Sequence, residues 1–145
     1  MIEVRFPGGV AVDVMTGGFV VRTDQPIASG GGGTAPSPFE LFVASIAACA
    51  GFYALRFCRE RGLSTLGLSV TLATEEDEAH HRIAGVRLAV ALPDGFPEKY
   101  RGAILRAVNQ CSVKRHLEEP PVFDVSVTPP TRALPPAREV SLLSA

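Results

Sequence analysis

Apolar and polar positions alternate in short bursts over the first 23 residues: Ile2, Val4 and Phe6, then Val10, Val12 and Val14, then "FVVRT" at 19–23. A period of two puts one set of side chains on one face of a sheet. The glycine pairs Gly8-Gly9 and Gly17-Gly18 between the bursts supply the positive φ of tight hairpin turns. A three-stranded antiparallel meander is predicted. The next stretch, "QPIASGGGGTAPSP", has no apolar period and reads as a flexible loop. From Pro38 to Gly62, "PFELFVASIAACAGFYALRFCRERG" reads as one helix. Ser37 serves as its N-cap, Pro38 suits the first helical position, and Glu40 three places after the serine completes a capping box. Arg56, Arg59 and Arg61 crowd its last turns, where the helix dipole favours cations, and Gly62 can end it. Such a helix has about 24 residues and a length of about 36 Å. Its first four turns are apolar nearly all round, which predicts burial on most sides.

Two strands follow at 66–74 and 85–93, with Leu68, Val70 and Leu72 on one face of the first and Val86, Leu88, Val90 and Leu92 on one face of the second. The polar loop "EEDEAHHR" joins them as a hairpin. A helix is predicted from Pro97 to Asn109, where Tyr100, Ile104, Ala107 and Val108 share a face. The short helical piece "SVKRHLEE" is halted by Pro120-Pro121. A last strand is predicted at 122–128, with Phe123, Val125 and Val127 on one side. The sum is an α+β pattern with antiparallel sheets and a long buried central helix. It forms a single domain over 1–128, followed by a C-terminal extension, 129–145, read as an arm reaching a partner subunit. So few elements cannot cover a helix that is apolar on every side, so the helix is expected to pack against its copy in a homodimer.

Composition narrows this picture. A chain of 145 residues builds one core. Fourteen basic against fifteen acidic side chains, with no basic block, argue against nucleic acid and against an electrostatic membrane-surface role. The longest apolar run, Leu41 to Leu55, has about 15 residues where a membrane span needs about 20, so no membrane span is expected. The strand-like start with Glu3 predicts no export signal. Three cysteines without CxxC spacing point to a reducing, cytoplasmic setting.

Other chemical signals are weaker. The run Gly30–Gly33 is followed by "TAPSP" rather than by Lys and Ser/Thr, which argues against a phosphate loop. A mobile lid over a cysteine site is the expectation for it instead. His80 and His81 sit among acids in a turn, and His116 projects away from Cys111 on a helix. No metal and no cofactor are expected.

The cysteines carry the remaining chemistry. Cys49 and Cys58 on the long helix are nine residues apart, about 13.5 Å along the axis and half a turn round it, so they cannot form a disulfide in one chain. Cys58 reads as a structural apolar residue. Cys111 precedes "SVKRHL", where Lys114, Arg115 and the helix start can lower a thiol pKa. By this physics Cys111 is either a nucleophile or resolving thiol, or a buried neutral cysteine. Spacing alone does not decide whether Cys49 and Cys111 meet.

The stretches "TAPSPFELFVASIAACAGFYAL", "AVNQCSVKRHLEEP" and "FDVSV" resemble, in this order, the OsmC/Ohr family of thiol-dependent hydroperoxide reductases. The resemblance covers nearly the whole chain to about Thr128, and "PSPFELF" is similar to the YhfA-like branch. It implies an intertwined homodimer and a role in oxidative-stress defence. It also implies that Cys49 attacks the O–O bond of a small organic hydroperoxide, that Cys111 resolves the product to a disulfide, and that a dithiol reductant reopens it. Ohr-type sites hold their thiolate with an arginine from an early loop and a glutamate ten residues before the first cysteine. Here Phe39 stands at that place and Glu40 is one position off, so Glu40 is carried as a third site residue beside its capping role. Arg5 and Arg22 are the candidates for the arginine. The alternative on the same fold is a non-enzymatic dimer that binds an apolar ligand or senses redox state.

Overall fold

The computed structural model describes residues 1–127, which fall into two compact units. The first holds Met1–Phe42 and the residues from Phe123, the second Val43–Val122.

In the first unit, strands β1 (Ile2–Gly8), β2 (Ala11–Thr16) and β3 (Phe19–Thr23) form the predicted antiparallel meander in the order β1-β2-β3. The turn between β2 and β3 is Gly17-Gly18 with φ of 55° and 85°, a backbone that L side chains rarely adopt. Thr23 Oγ1 donates to the Val12 carbonyl at 2.7 Å and ties β3 to β2. Apolar Ile2, Phe6 and Phe19 of this sheet remain exposed.

The glycine-rich segment after β3 is not the flexible lid its composition suggests. Asp24, only 4% exposed, accepts the amides of Gln25 (2.8 Å), Gly32 (3.0 Å) and Thr34 (3.1 Å) and the Thr34 hydroxyl (2.9 Å). The Thr34 amide, the Thr34 hydroxyl and the Gln25 amide together hold its carboxyl below the ordinary value despite burial. Glycine is required at Gly31 for space, because a Cβ there would lie 1.9 Å from the Gln25 carbonyl oxygen. A 3-10 turn, Ile27–Ser29, lies within the loop that these bonds close.

Helix α1 (Pro38–Glu60) begins in the first unit and continues into the second. Its capping box forms as the sequence predicts: the Ser37 amide donates to Glu40 Oε2 at 2.7 Å and the Glu40 amide to Ser37 Oγ at 3.2 Å. Burial on most sides is not what one chain provides. Ile46, Ala50, Ala54, Phe57 and Cys58 are buried, whereas Phe39, Phe42 and Phe52 are exposed. The argument from a short apolar run is also corrected. The complete helix has 23 residues, about 35 Å, and is long and apolar enough by length and composition to cross a membrane. In this fold its buried face belongs to the protein core.

The core of the second unit joins Ala50, Ala54, Phe57 and Cys58 of α1 to Ile104 and Val108 of α2 (Arg101–Val108). Helix α2 follows a 3-10 turn, Glu98–Tyr100, where the sequence predicts one continuous helix from Pro97. Tyr100 meets Phe57 edge to face at 6.0 Å. Leu68, Val70, Leu88, Val90 and Leu92 pack against the same core, the valines and Leu88 from the hairpin of β4 (Ser69–Asp77) and β5 (Arg82–Ala91). In that ladder Val70 faces Val90 and Leu72 faces Leu88.

Both hairpin strands run further toward their turn than predicted, taking in Glu75–Asp77 and Arg82. Glu75 pairs with Arg87 and Asp77 with Arg82, so charges placed in the expected loop flank the ladder instead. Helix α3 (Ser112–Glu118) completes the elements. The strand predicted at 122–128 is corrected: its described residues join no ladder, and Phe123, Val125 and Val127 are exposed. The predicted 129–145 extension lies outside the described residues.

Candidate functional site

The site is built from the middle of α1 and the start of α3, both in the second unit. The chain leaves α2 in a tight turn, the Gln110 amide bonding the Ala107 carbonyl and the Cys111 amide the Val108 carbonyl at 3.2 Å. Because Val108 is anchored in the core, this turn delivers Cys111 to a fixed place. Cys111 then acts as N-cap of α3, its Sγ accepting the Lys114 amide at 3.5 Å and its carbonyl the Arg115 amide at 3.1 Å.

The structure brings Cys49 and Cys111 together. The Cys111 thiol lies within hydrogen-bonding reach of Cys49, and Cys49 Sγ is 3.7 Å from Ser112 Oγ. Cys49 is half-buried, whereas Cys111 and Cys58 are 0% exposed. Cys58 is a core residue of α1, and burial pushes its thiol up, as befits a structural cysteine.

The electrostatics separate the two facing thiols. Burial alone would raise Cys49. Hydrogen bonds from the Cys111 thiol, the Val113 amide and the hydroxyl and amide of Ser112 more than offset this and hold it below the ordinary thiol value. Burial pushes Cys111 up, and the neighbouring Cys49 raises it further, against the lowering effect of the Lys114 and Val113 amides. Ionising one thiol of such a pair discourages ionising the other, so of the two sulfurs Cys49 is the one that loses its proton first.

The expectation that Lys114 and Arg115 activate Cys111 is therefore corrected. The Lys114 ammonium goes to Asn109 Oδ1 at 3.0 Å and to Glu118 at 3.5 Å. Arg115 lines a cavity of about 340 Å³ with Tyr53, Arg56, Phe57, Glu60 and Gln110.

The remaining sequence candidates lie elsewhere in their bonding. The Glu40 carboxylate is occupied by the Ser37 amide, and this bond with that of the Ser37 hydroxyl lowers its pKa. It stands nine residues before Cys49, about 13.5 Å along the helix axis. Arg5 pairs with Glu3 at 3.4 Å, and Arg22 faces Asp13 in the β2–β3 ladder. Phe39 is 58% exposed and packs on Phe42 with ring centroids 5.7 Å apart. His80 binds Asp77 at 2.8 Å in the exposed hairpin turn, and His116 Nδ1 meets the Ser112 carbonyl at 2.7 Å. Among the described residues no group of three or more His, Cys, Asp or Glu could hold a metal ion. What the sequence reading missed is Ser112. Its only signal is adjacency to Cys111 in "QCSV".

Comparison with known proteins follows the same lines. No curated protein matches the chain. Among solved structures, a protein of Psychrobacter arcticus 273-4 named for an osmotic stress induced and detoxification response superposes with a TM-score of 0.68 at 19% identity, covering 79% of this chain and 85% of that one. An organic hydroperoxide resistance protein OsmC of Legionella pneumophila superposes with a TM-score of 0.52 at 20% identity, covering 81% of this chain and 87% of that one. At these identities the likeness establishes a shared fold, a mixed α/β architecture with antiparallel strands and a long helix. In sequence, residues 30–126 match the family model described as OsmC-like protein, a span that holds α1, both facing cysteines and Ser112, and the chain therefore belongs to the OsmC-like family.

Proposed function

We propose that this protein is a thiol-dependent reductase of organic hydroperoxides acting in oxidative-stress defence. The observation that carries the reading is the contact of a half-buried Cys49, held toward its thiolate, with a fully buried Cys111. The Cys49 thiolate attacks the distal oxygen of ROOH. The S–O bond forms, the O–O bond breaks, and the alkoxide takes a proton and leaves as an alcohol. The Cys111 sulfur then attacks the Cys49 sulfenic acid, forming the disulfide and releasing water. An external dithiol restores both thiols by exchange, supplying two electrons. The chemistry uses the protein's own sulfurs and calls for no cofactor.

A homodimer belongs to this reading. Exposed Phe39, Phe42 and Phe52 on α1, and the strand-like pattern of Phe123, Val125 and Val127 without a ladder, are surfaces that a second copy of the chain would cover. A reducing, cytoplasmic setting keeps the thiols ready. The name of the Legionella pneumophila neighbour points the same way.

The test mixes reduced protein with one equivalent of cumene hydroperoxide and follows thiol loss and peptide mass. A Cys49–Cys111 disulfide is expected, with oxidation abolished in Cys49→Ser. A thiol count that does not change, or an unaltered rate in Cys49→Ser, defeats the enzyme and leaves the ligand-binding reading. A sedimentation mass of one chain overturns the dimer.

A further inference from the structure

If Cys49 is the attacking sulfur, its negative charge needs donors. The position ten residues before it is Phe39, which has no donor or charge to offer, and the Glu40 carboxylate is engaged by the Ser37 amide at 2.7 Å. What does face the sulfur is the start of α3: Ser112 Oγ lies 3.7 Å from Cys49 Sγ, at hydrogen-bonding range for a large, polarisable acceptor. The hydroxyl rotates freely to direct its hydrogen and does not itself titrate near neutral pH. Its backbone is fixed on both sides, by the Cys111 cap before it and by His116 Nδ1 on its own carbonyl at 2.7 Å.

We infer that Ser112 is a further residue of the reaction, its hydroxyl donating to the Cys49 thiolate and aiming the sulfur beside Cys111. This deepens the proposed function and rests on the reading of Cys49 as the attacking thiol. A hydroxyl does two things that a fixed cation would not. It stabilises the thiolate without adding net charge to the place an apolar hydroperoxide must enter. It also loses its charged acceptor once the disulfide forms, so the bond favours the reduced state of the pair.

Among the described residues Cys111 is the titratable group that interacts with Cys49. On α3, Lys114 is held by Asn109 and Glu118, Arg115 lines the cavity beside Tyr53, and His116 is turned to the Ser112 carbonyl. A shift in the Cys49 titration on changing Ser112 is therefore readable.

The experiment alkylates Cys49 of the full chain with iodoacetamide at several pH values and measures the rate by peptide mass, in the wild type, Ser112→Ala and Ser112→Thr. Loss of a hydrogen bond to a charged group should raise the midpoint in Ser112→Ala by about one pH unit, slowing alkylation about tenfold at pH values below both midpoints. Ser112→Thr keeps a hydroxyl and should keep the wild-type midpoint, which a purely structural role would not require. Superimposable profiles for wild type and Ser112→Ala overturn the inference, as does a Thr variant that titrates like Ala. Disulfide formation by wild type with cumene hydroperoxide, run in parallel, reports on the reductase reading separately. A shifted thiol profile in a protein that forms no disulfide supports the Ser112–Cys49 hydrogen bond but defeats the reductase and, with it, the place of Ser112 in that reaction.

Discussion

Ser37→Ala and Glu40→Gln together separate the two roles open to Glu40, helix cap and partner of the thiol. Ser37 is buried, and its Oγ accepts the Glu40 amide at 3.2 Å, so Ser37→Ala leaves a first-turn donor without that partner. Loss of such a cap costs about 1 kcal/mol. In a chain of 145 residues that lowers the thermal midpoint by about 3–5 °C. Glu40→Gln keeps an oxygen for the Ser37 amide but removes the charge that strengthens this bond and favours the helix start. The Ser37 amide and hydroxyl hold the folded-state carboxyl below the ordinary glutamate value. Its charge therefore adds stability that is fully present above about pH 4.5 and is lost as pH falls through the depressed folded value. Wild type should exceed Glu40→Gln in stability at pH 7, and the two should converge in acid. Thermal unfolding at pH 7 and in acid reads the cap, and stopped-flow oxidation by cumene hydroperoxide reads the thiol. Both variants should melt lower and oxidise Cys49 within about twofold of the wild-type rate, since neither change alters a donor to Cys49. A tenfold slower oxidation in Glu40→Gln, with Ser37→Ala at the wild-type rate, would refute the capping argument and place the carboxylate in the chemistry.

Three further outcomes are expected. Of the three free thiols, Cys49 alone should alkylate rapidly in the native protein, with Cys58 the slowest because it reacts only through opening of the core; equal rates for Cys49 and Cys58 would contradict the burial pattern. Ile104→Ala empties a side chain that is 1% exposed and should cost about 2–5 kcal/mol in urea unfolding, and a loss under about 1 kcal/mol would show that α2 does not anchor this core. Gly31→Ala drives a Cβ into the Gln25 carbonyl and should accelerate proteolysis between residues 25 and 34, whereas an unchanged cleavage pattern would mean that the Asp24 ring of bonds does not hold this loop.

Much of the fold was legible in local pattern. The glycine pairs marked the meander, and Ser37, Pro38 and Glu40 marked the start of α1 to the residue, because both signals act over three or four positions. The hairpin ends were less legible: Glu75 and Asp77 read as loop because charge usually means solvent, yet each found an arginine across or beside the ladder. The Gly30–Gly33 run read as mobile, since its order depends on Asp24, which stands outside the glycine-rich stretch and gave no local signal.

For the site, the sequence by itself determined which sulfurs were available, excluded a Cys49–Cys58 bridge through helix geometry, and, through the family's two cysteine motifs, pointed to Cys49 and Cys111. The resemblance named Cys49 as the attacking sulfur, and only the tertiary structure supplied a physical reason for it, the donors that lower its pKa. Read locally, Lys114 and Arg115 favoured Cys111. In the fold the Lys114 ammonium is spent on Asn109 and Glu118, Arg115 lines a cavity, Cys111 is fully buried, and Cys49 receives donors from residues more than sixty positions away. A thiol's pKa is set by whatever surrounds the sulfur in space, and along one helix turn of sequence that environment is not written.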